Sequence, residues 1–256
     1  DSIGAGFFSG RYTSSIVAAG HIAKRILKDH GIEVVSFVRE AAGIRMGEMS
    51  IDEIKKKAAA YREVRKQYDP IYLDLFASNK YRSDMRFFEK AAMLADLEKR
   101  IPEIKKPVYN ADEIKEKYGI NPTIFCPDAD VANAMHDEII RIMKEGDSSG
   151  GLVEVVVTGV PAGMGEPVFN KLDGELGRLM AIGTVKAVEI GCGMEAAKMT
   201  GSQCNDALRV KDGSLYFNSN NAGEITGGLT TGQNIVARVA VKPTPTIAKP
   251  QDTIDK

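Results

Sequence analysis

The sequence contains no tryptophan and three cysteines, and no apolar run nears the ~20 residues that a bilayer-crossing helix requires. Cys126, Cys192 and Cys204 are odd in number and lack C-x-x-C spacing, which argues against both a disulfide framework and a zinc site. A reducing cytoplasm is the expected location. Charge of one sign is also missing: 34 basic residues face 35 acidic ones, for a net charge of −1. No overall basic field exists to hold a nucleic acid or an anionic membrane, so neither is expected as a partner, and an anionic ligand must be caught by a local cluster. The N-terminus has no charged region leading into an apolar stretch, so export is not expected. G-x-S-x-G, Walker A and H-E-x-x-H patterns are all absent, which leaves serine hydrolase, P-loop and zincin readings without support. His21, His30 and His136 fall in or at the end of helical segments with no nucleophile motif beside them, and are read as surface or packing residues.

What the sequence does have is a change of texture along its length. Ile16, Val17, Ile22, Ala23, Ile26 and Leu27 recur at helical spacing between Thr13 and His30, Gly31 stops that helix, and Ile32 to Val38 reads as a strand. From 46 to 120 the chain turns rich in Lys and Glu. Ser50 and Glu53 form a capping box ahead of an apolar stripe at Ile51, Ile54, Ala58 and Tyr61. Pro70 is expected to end that helix, a second helix covers 83–100, and a third covers 110–118 up to Gly119. This block is expected to be an inserted helical subdomain of a single core domain spanning 1–256. A helix capped near Asp128 or Asp130 then runs to Glu145, burying Val131, Met135, Ile139 and Ile142. Beyond it, 152–157, 185–190 and 235–241 are β-branched runs, the last alternating as expected for an antiparallel sheet with unlike faces. Pro167 to Ile182 reads as a helix with Val168, Leu172, Leu176 and Leu179 inward.

Most of the 25 glycines fall in five clusters, at 4–10, 146–151, 159–165, 191–193 and 220–232. Glycine lets backbone N–H groups approach a phosphate or a flat ring without a Cβ in the way. Each cluster alone is more simply a tight turn; five in one chain weaken that reading. Beside the last cluster, Lys242-Pro243-Thr244-Pro245-Thr246 places an ammonium and two hydroxyls just past a strand, either as a phosphate cradle or as a proline-terminated edge strand. Arg11, at a helix start, offers a planar fork for an anion. The G-x-G of Gly4 to Gly6 lacks the acidic partner of a dinucleotide fingerprint.

Taken together, GAGFFSGRYT (4–13), EGDSSGG (145–151), GVPAGMGEPVFNKLD (159–173), IGTVKAVEIG (182–191), GSQCND (201–206), NNAGEITGGLTTGQ (220–233) and VKPTPTIAKPQ (241–251) resemble, in this order, the chorismate synthase family. The resemblance covers about 1–45 and 121–256. It implies an α+β fold with helices packed between antiparallel sheets, and a homotetramer. It also implies a flavoprotein lyase of the shikimate pathway, in aromatic amino acid biosynthesis. Such an enzyme removes phosphate and a ring proton from 5-enolpyruvylshikimate 3-phosphate in an anti 1,4-elimination that requires reduced FMN. NADPH for reducing the flavin is left open.

Residue by residue, the resemblance assigns flavin contacts to Phe7, Phe8, Ser9, Gly183, Thr184, Gly227, Lys242, Pro243, Thr244, Pro245 and Thr246, and a substrate clamp to Arg11. Phe7 replaces a commoner arginine or histidine and Thr184 a usual alanine, changes that backbone contacts survive. The family's catalytic histidines and R-H-D segment have no counterpart in these residues, so no catalytic residue is assigned and turnover by the chain alone is not expected. The competing reading is an inactive remnant that binds flavin or another protein.

Overall fold

The computed structural model describes residues 13–77 and 111–252. The chain divides into two compact units, one made of the stretches up to Met46 and from Ala134 onward, the other of Gly47–Asn133.

In the first unit, α1 (Thr13–Asp29) ends in a glycine-dependent cap. Gly31 adopts φ +76°, its N–H donates to Lys28 O at 3.0 Å, and the Ile32 N–H donates to Leu27 O at 2.9 Å, which satisfies carbonyls the helix leaves over. Leu27 packs against Ile32, Val160 and Ile235. Ile16, Val17, Ile22 and Ile26, the rest of the expected stripe, are exposed.

The main sheet has the order β2-β1-β3-β9-β4 and is antiparallel throughout, from β1 (Glu33–Ala41), β2 (Ile44–Arg45), β3 (Gly151–Thr158), β4 (Val185–Ile190) and β9 (Ile235–Val241). Its register puts Val34, Val157 and Ile235 on one face and Val35, Val156 and Val236 on the other. Along β9, Ile235, Ala237 and Val239 are buried while the residues between them are half-buried, the alternation expected of unlike faces. β1 runs three residues past the expected end at Val38. The register shifts between Val38 and Glu40, and Arg39, the extra residue, is buried at 2% exposure instead of ending the strand. Two small hairpins, β5–β6 (Leu208–Lys211, Ser214–Phe217) and β7–β8 (Ile225–Thr226, Leu229–Thr230), complete the described strands. The result is an α+β fold.

The helix expected over 167–182 is shorter. Residues 166 and 170 bridge instead, leaving Val168 and Phe169 exposed, and α5 covers Leu172–Gly177 before a 3-10 turn at Arg178–Ala181. Leu172 and Leu176 do face the Ile32–Val160–Ile235 cluster. The leucine spacing reports that contact truthfully, but helical spacing alone does not say where the helix begins.

The second unit is helical. The Ser50 hydroxyl donates to the Glu53 carboxylate at 2.8 Å and accepts the Glu53 N–H at 3.3 Å at the start of α2 (Ile51–Ala77). Pro70 does not end α2. A proline forfeits one N–H and crowds one carbonyl a turn back, a local penalty that need not stop the helix. Val64 packs with Ile114 of α3 (Ala111–Tyr118) and with Ile120, next to Tyr61 and Tyr118. Gly119, at φ +62°, closes α3, and its carbonyl accepts the Lys57 ammonium at 2.8 Å. The helix expected over 83–100 lies outside the described residues. α4 (Ala129–Lys144), whose residues from Ala134 on belong to the first unit, starts on Asp128, whose side chain accepts the N–H groups of Asp130 and Val131 at 3.0 and 3.1 Å. Among the described residues no helix is long and apolar enough to cross a membrane.

Candidate functional site

Pairing of β4 with β9 sets Val185 opposite Val241, so the residues just beyond meet at one end of the sheet. There the Lys242 N–H donates to Thr184 O at 3.0 Å. Thr184 has φ +80°, a left-handed conformation that crowds a β-branched residue, and it is exposed. Next to it, nothing lies within 4 Å of where a Cβ on Gly183 would stand. Lys242, Pro243, Thr244, Pro245 and Thr246 are exposed.

The serine-glycine loop after α4 lies along this run. The Ser148 hydroxyl donates to Thr244 O at 2.6 Å, and Gly146 O accepts the N–H groups of Ala248 and Lys249 at 2.9 and 3.2 Å. A Cβ on Gly150 would come within 2.7 Å of Val241 O. The Lys249 ammonium, 2.8 Å from Asp147, and then the Ser148 N–H hold the Asp147 carboxyl below its ordinary value. Segments 96 to 102 residues apart in sequence thus form one corner with an exposed ammonium.

Gly227 belongs to the other end of β9. It sits in the β7–β8 turn at φ +63°, and that hairpin is tied to the loop after β3, with the Thr230 hydroxyl donating to Pro161 O at 2.6 Å and Gly163 N–H donating to Thr230 O at 2.8 Å. Within one chain, therefore, Thr184 and Lys242 are brought together and Gly227 is not; β9's seven residues, at ~3.4 Å each, lie between. Phe7, Phe8, Ser9 and Arg11 lie outside the described residues.

Carboxylates that the motifs contain but that sequence reasoning passed over hold the Gly227 end together. Glu224, 1% exposed, accepts the Thr231 N–H and hydroxyl at 3.0 Å each, and the Gly232 N–H. Asp206 accepts the Ser219 hydroxyl at 2.6 Å and the Asn221 and Ala222 N–H groups at 2.7 and 2.8 Å. Burial alone would raise the Asp206 carboxyl; these three donors overcome it and hold it below the usual range. Gly191 and Gly223 meet back to back at φ +59° and +65°, and a Cβ on either would overlap the other's backbone. In the sheet, Glu154 is 5% exposed, accepts the Arg238 Nε–H at 2.7 Å and lies 3.8 Å from Arg39 Nε, while another Arg238 N–H donates to Gly191 O at 2.6 Å. For Glu224 the available signal was an acidic residue set inside a glycine cluster, where loop N–H groups need acceptors.

A cleft of about 590 Å³ lies over the sheet, lined by Glu40, Arg45, Ile142, Glu189, Met194 and Arg238 among others. Its arginines are engaged: Arg45 lies 3.2 Å from Glu40, and Arg238 holds Glu154. The exposed ammonium of Lys242 is a better anion anchor than either.

The Chorismate synthase family matches residues 1–256, the block at 46–120 included. Chorismate synthase from Methanosarcina mazei is 38% identical over 256 residues, covering 100% of this chain and 53% of the relative. That from Methanosarcina barkeri is 50% identical over 145 residues, 56% of this chain and 40% of the relative. The Acetivibrio thermocellus chorismate synthase is 38% identical over 258 residues, 100% of this chain and 50% of the relative. A solved chorismate synthase structure superposes with a TM-score of 0.59 at 26% identity, covering 92% of this chain and 56% of that one. The chain spans about half the length of the curated relatives it matches along its whole length. With a match from its first residue to its last and the fold of a solved member, the chain belongs to the chorismate synthase family.

Proposed function

We propose that the chain serves the chorismate synthase reaction, the anti 1,4-elimination of phosphate from 5-enolpyruvylshikimate 3-phosphate in the presence of reduced FMN. The observation that carries this reading is the family match through residues 1–256. The elimination breaks a C–O bond to phosphate and a C–H bond on the opposite face; the C–H electron pair forms a double bond to the neighbouring ring carbon, the existing ring double bond shifts one position towards the carbon bearing phosphate, the proton goes to a base, and phosphate leaves with the C–O pair. Reduced FMN supplies an electron-rich flat partner beside the ring.

The Thr184–Lys242 corner fits a phosphorylated flavin on its own geometry. The Lys242 ammonium and the Thr244 and Thr246 hydroxyls are exposed past the end of β9 and can hold a phosphate. Open space above Gly183 admits a flat ring close to the backbone. Thr184 is kept in a conformation that costs about 1–3 kcal/mol, the kind of strain that surroundings impose at ligand sites. Pro243 and Pro245 fix the path of the run, and Ser148 anchors it.

Phe7, Phe8 and Ser9 contact the flavin, and Arg11 clamps the substrate's phosphate or carboxylate. The working form is a cytoplasmic homotetramer, in which Gly227 reaches a flavin held by Lys242 of a neighbouring subunit. Segment 46–120 is an inserted helical subdomain to which no step of the reaction is assigned.

Thermal unfolding under anaerobic conditions tests the reading, because a ligand that binds the native state raises its melting point. Reduced FMN with 5-enolpyruvylshikimate 3-phosphate should stabilise the protein. Lys242→Ala should weaken flavin binding roughly 10- to 100-fold, as expected for losing a charge-assisted hydrogen bond. No shift at saturating concentrations of both ligands would overturn the proposal.

A further inference from the structure

Two half-buried thiols face each other at the Gly227 end of the sheet, and the flavin reading has no use for them. Cys192 follows Gly191 at the end of β4 and leads into the 3-10 turn Gly193–Lys198. Cys204 closes α6 (Gly201–Cys204), whose start is fixed by the capping box of Thr200 and Gln203. One residue clamps both backbones: Asn221 O accepts the Cys192 N–H at 2.9 Å, and the Asn221 side-chain amide donates to Cys204 O at 3.3 Å and to Gln203 O at 3.2 Å. With the backbones so held, the Cys204 thiol is near enough to Cys192 to interact with it electrostatically. Asn221 itself is held by Asp206, which accepts its N–H at 2.7 Å. Both cysteines are partly exposed, within reach of a small oxidant, whereas Cys126 is fully buried in the other unit.

We infer that Cys192 and Cys204 are a redox modification site, a dithiol that hydroperoxides convert into a reversible intramolecular disulfide. Burial, reinforced by Cys204 and more weakly by Asp206, pushes the Cys192 thiol up, making it the poorer nucleophile and the resolving partner. The Cys204 thiolate attacks a peroxide oxygen; the O–O bond breaks, leaving a sulfenic acid on Cys204 and one molecule of water or alcohol. The Cys192 sulfur then attacks the sulfenic sulfur as its proton passes to the departing hydroxide, which leaves as water. Two thiols lose two electrons and two protons, and the peroxide takes up both. The bond ties the turn after β4 to the end of α6 across residues 192–204, cross-linking the two segments that Asn221 already bridges.

The test is peroxide oxidation of the native chain, alkylation of the remaining thiols and peptide mapping. The expected product is monomeric and lighter by two hydrogens, joins Cys192 to Cys204, keeps only Cys126 alkylatable of the three cysteines, and reverts with dithiothreitol. In Cys192→Ser the Cys204 sulfenic acid should persist and be trapped by dimedone. In strong denaturant the preference for the 192–204 pairing should fall to that of a random chain. Disulfide-linked dimers, over-oxidation of Cys204 with Cys192 still free, no thiol loss, or the same pairing preference in denaturant would each overturn the proposal.

Discussion

The two units use their acidic residues in opposite ways. In Gly47–Asn133 the framework is an apolar cluster of Val64, Ile114 and Ile120, and Asp130 pairs with Lys115 at 2.7 Å in full view of solvent. In the other unit Glu154, Asp206 and Glu224 are drawn inward and bonded to an arginine or to loop N–H groups. A helix satisfies its own backbone, so its acidic side chains are spare. A glycine loop leaves N–H groups without partners, and a buried carboxylate can take several at once. Glycine loops that must be fixed in place are therefore built around internal charge.

The largest expected break in this contrast is Glu154→Ala, which leaves the half-buried Arg238 without its carboxylate and should cost about 3–5 kcal/mol in urea unfolding. Replacing Glu154 and Arg238 together by methionine should recover most of that loss. Glu224→Ala should cost about 1–3 kcal/mol, with hydrogen exchange at Thr231 and Gly232 accelerating before any change at the centre of β9. Acid sharpens the contrast without mutation. Because the folded-state Asp206 pKa is lowered, its contribution is complete above the ordinary carboxylate range and disappears as the pH falls through the lowered value. Melting points followed by peptide-resolved exchange should show the 219–222 loop loosening first, and Asp206→Asn should remove that step. The smallest effect is expected for Asp130→Asn, which should leave the melting point unchanged within error at physiological salt, because an exposed pair is screened.

Local chemistry was legible where the decisive partner is near in sequence. The Ser50–Glu53 cap, the stops at Gly31 and Gly119, and the β-branched runs that became β3, β4 and β9 all belong to that class. Illegible features depended on distant partners. The strand expected over 32–38 stops short of Arg39, which the bulge buries beside Glu154, and Glu154 meets Arg238 from 84 positions away. At the candidate site, residue types and glycine spacing marked the loops, but only strand register shows that Thr184 meets Lys242 while Gly227 sits at the far end of β9. Helical spacing over 167–182 also overreached, since exposed Val168 and Phe169 carry the same apolar signal as the half-buried Leu172 and Leu176.

The contact between Gly191 and Gly223 has a bearing on how this sequence can drift. Each position forbids a side chain because of the other's main chain, so neither can accept a substitution first and wait for its neighbour to compensate. Even a double replacement would have to push β4's turn and the 220–224 loop apart, surrendering the Arg238 bond to Gly191 and Asn221's hold on Cys192. Two residues without side chains are thereby locked into a single inherited character, and a lineage that loses one of them must rebuild both loops.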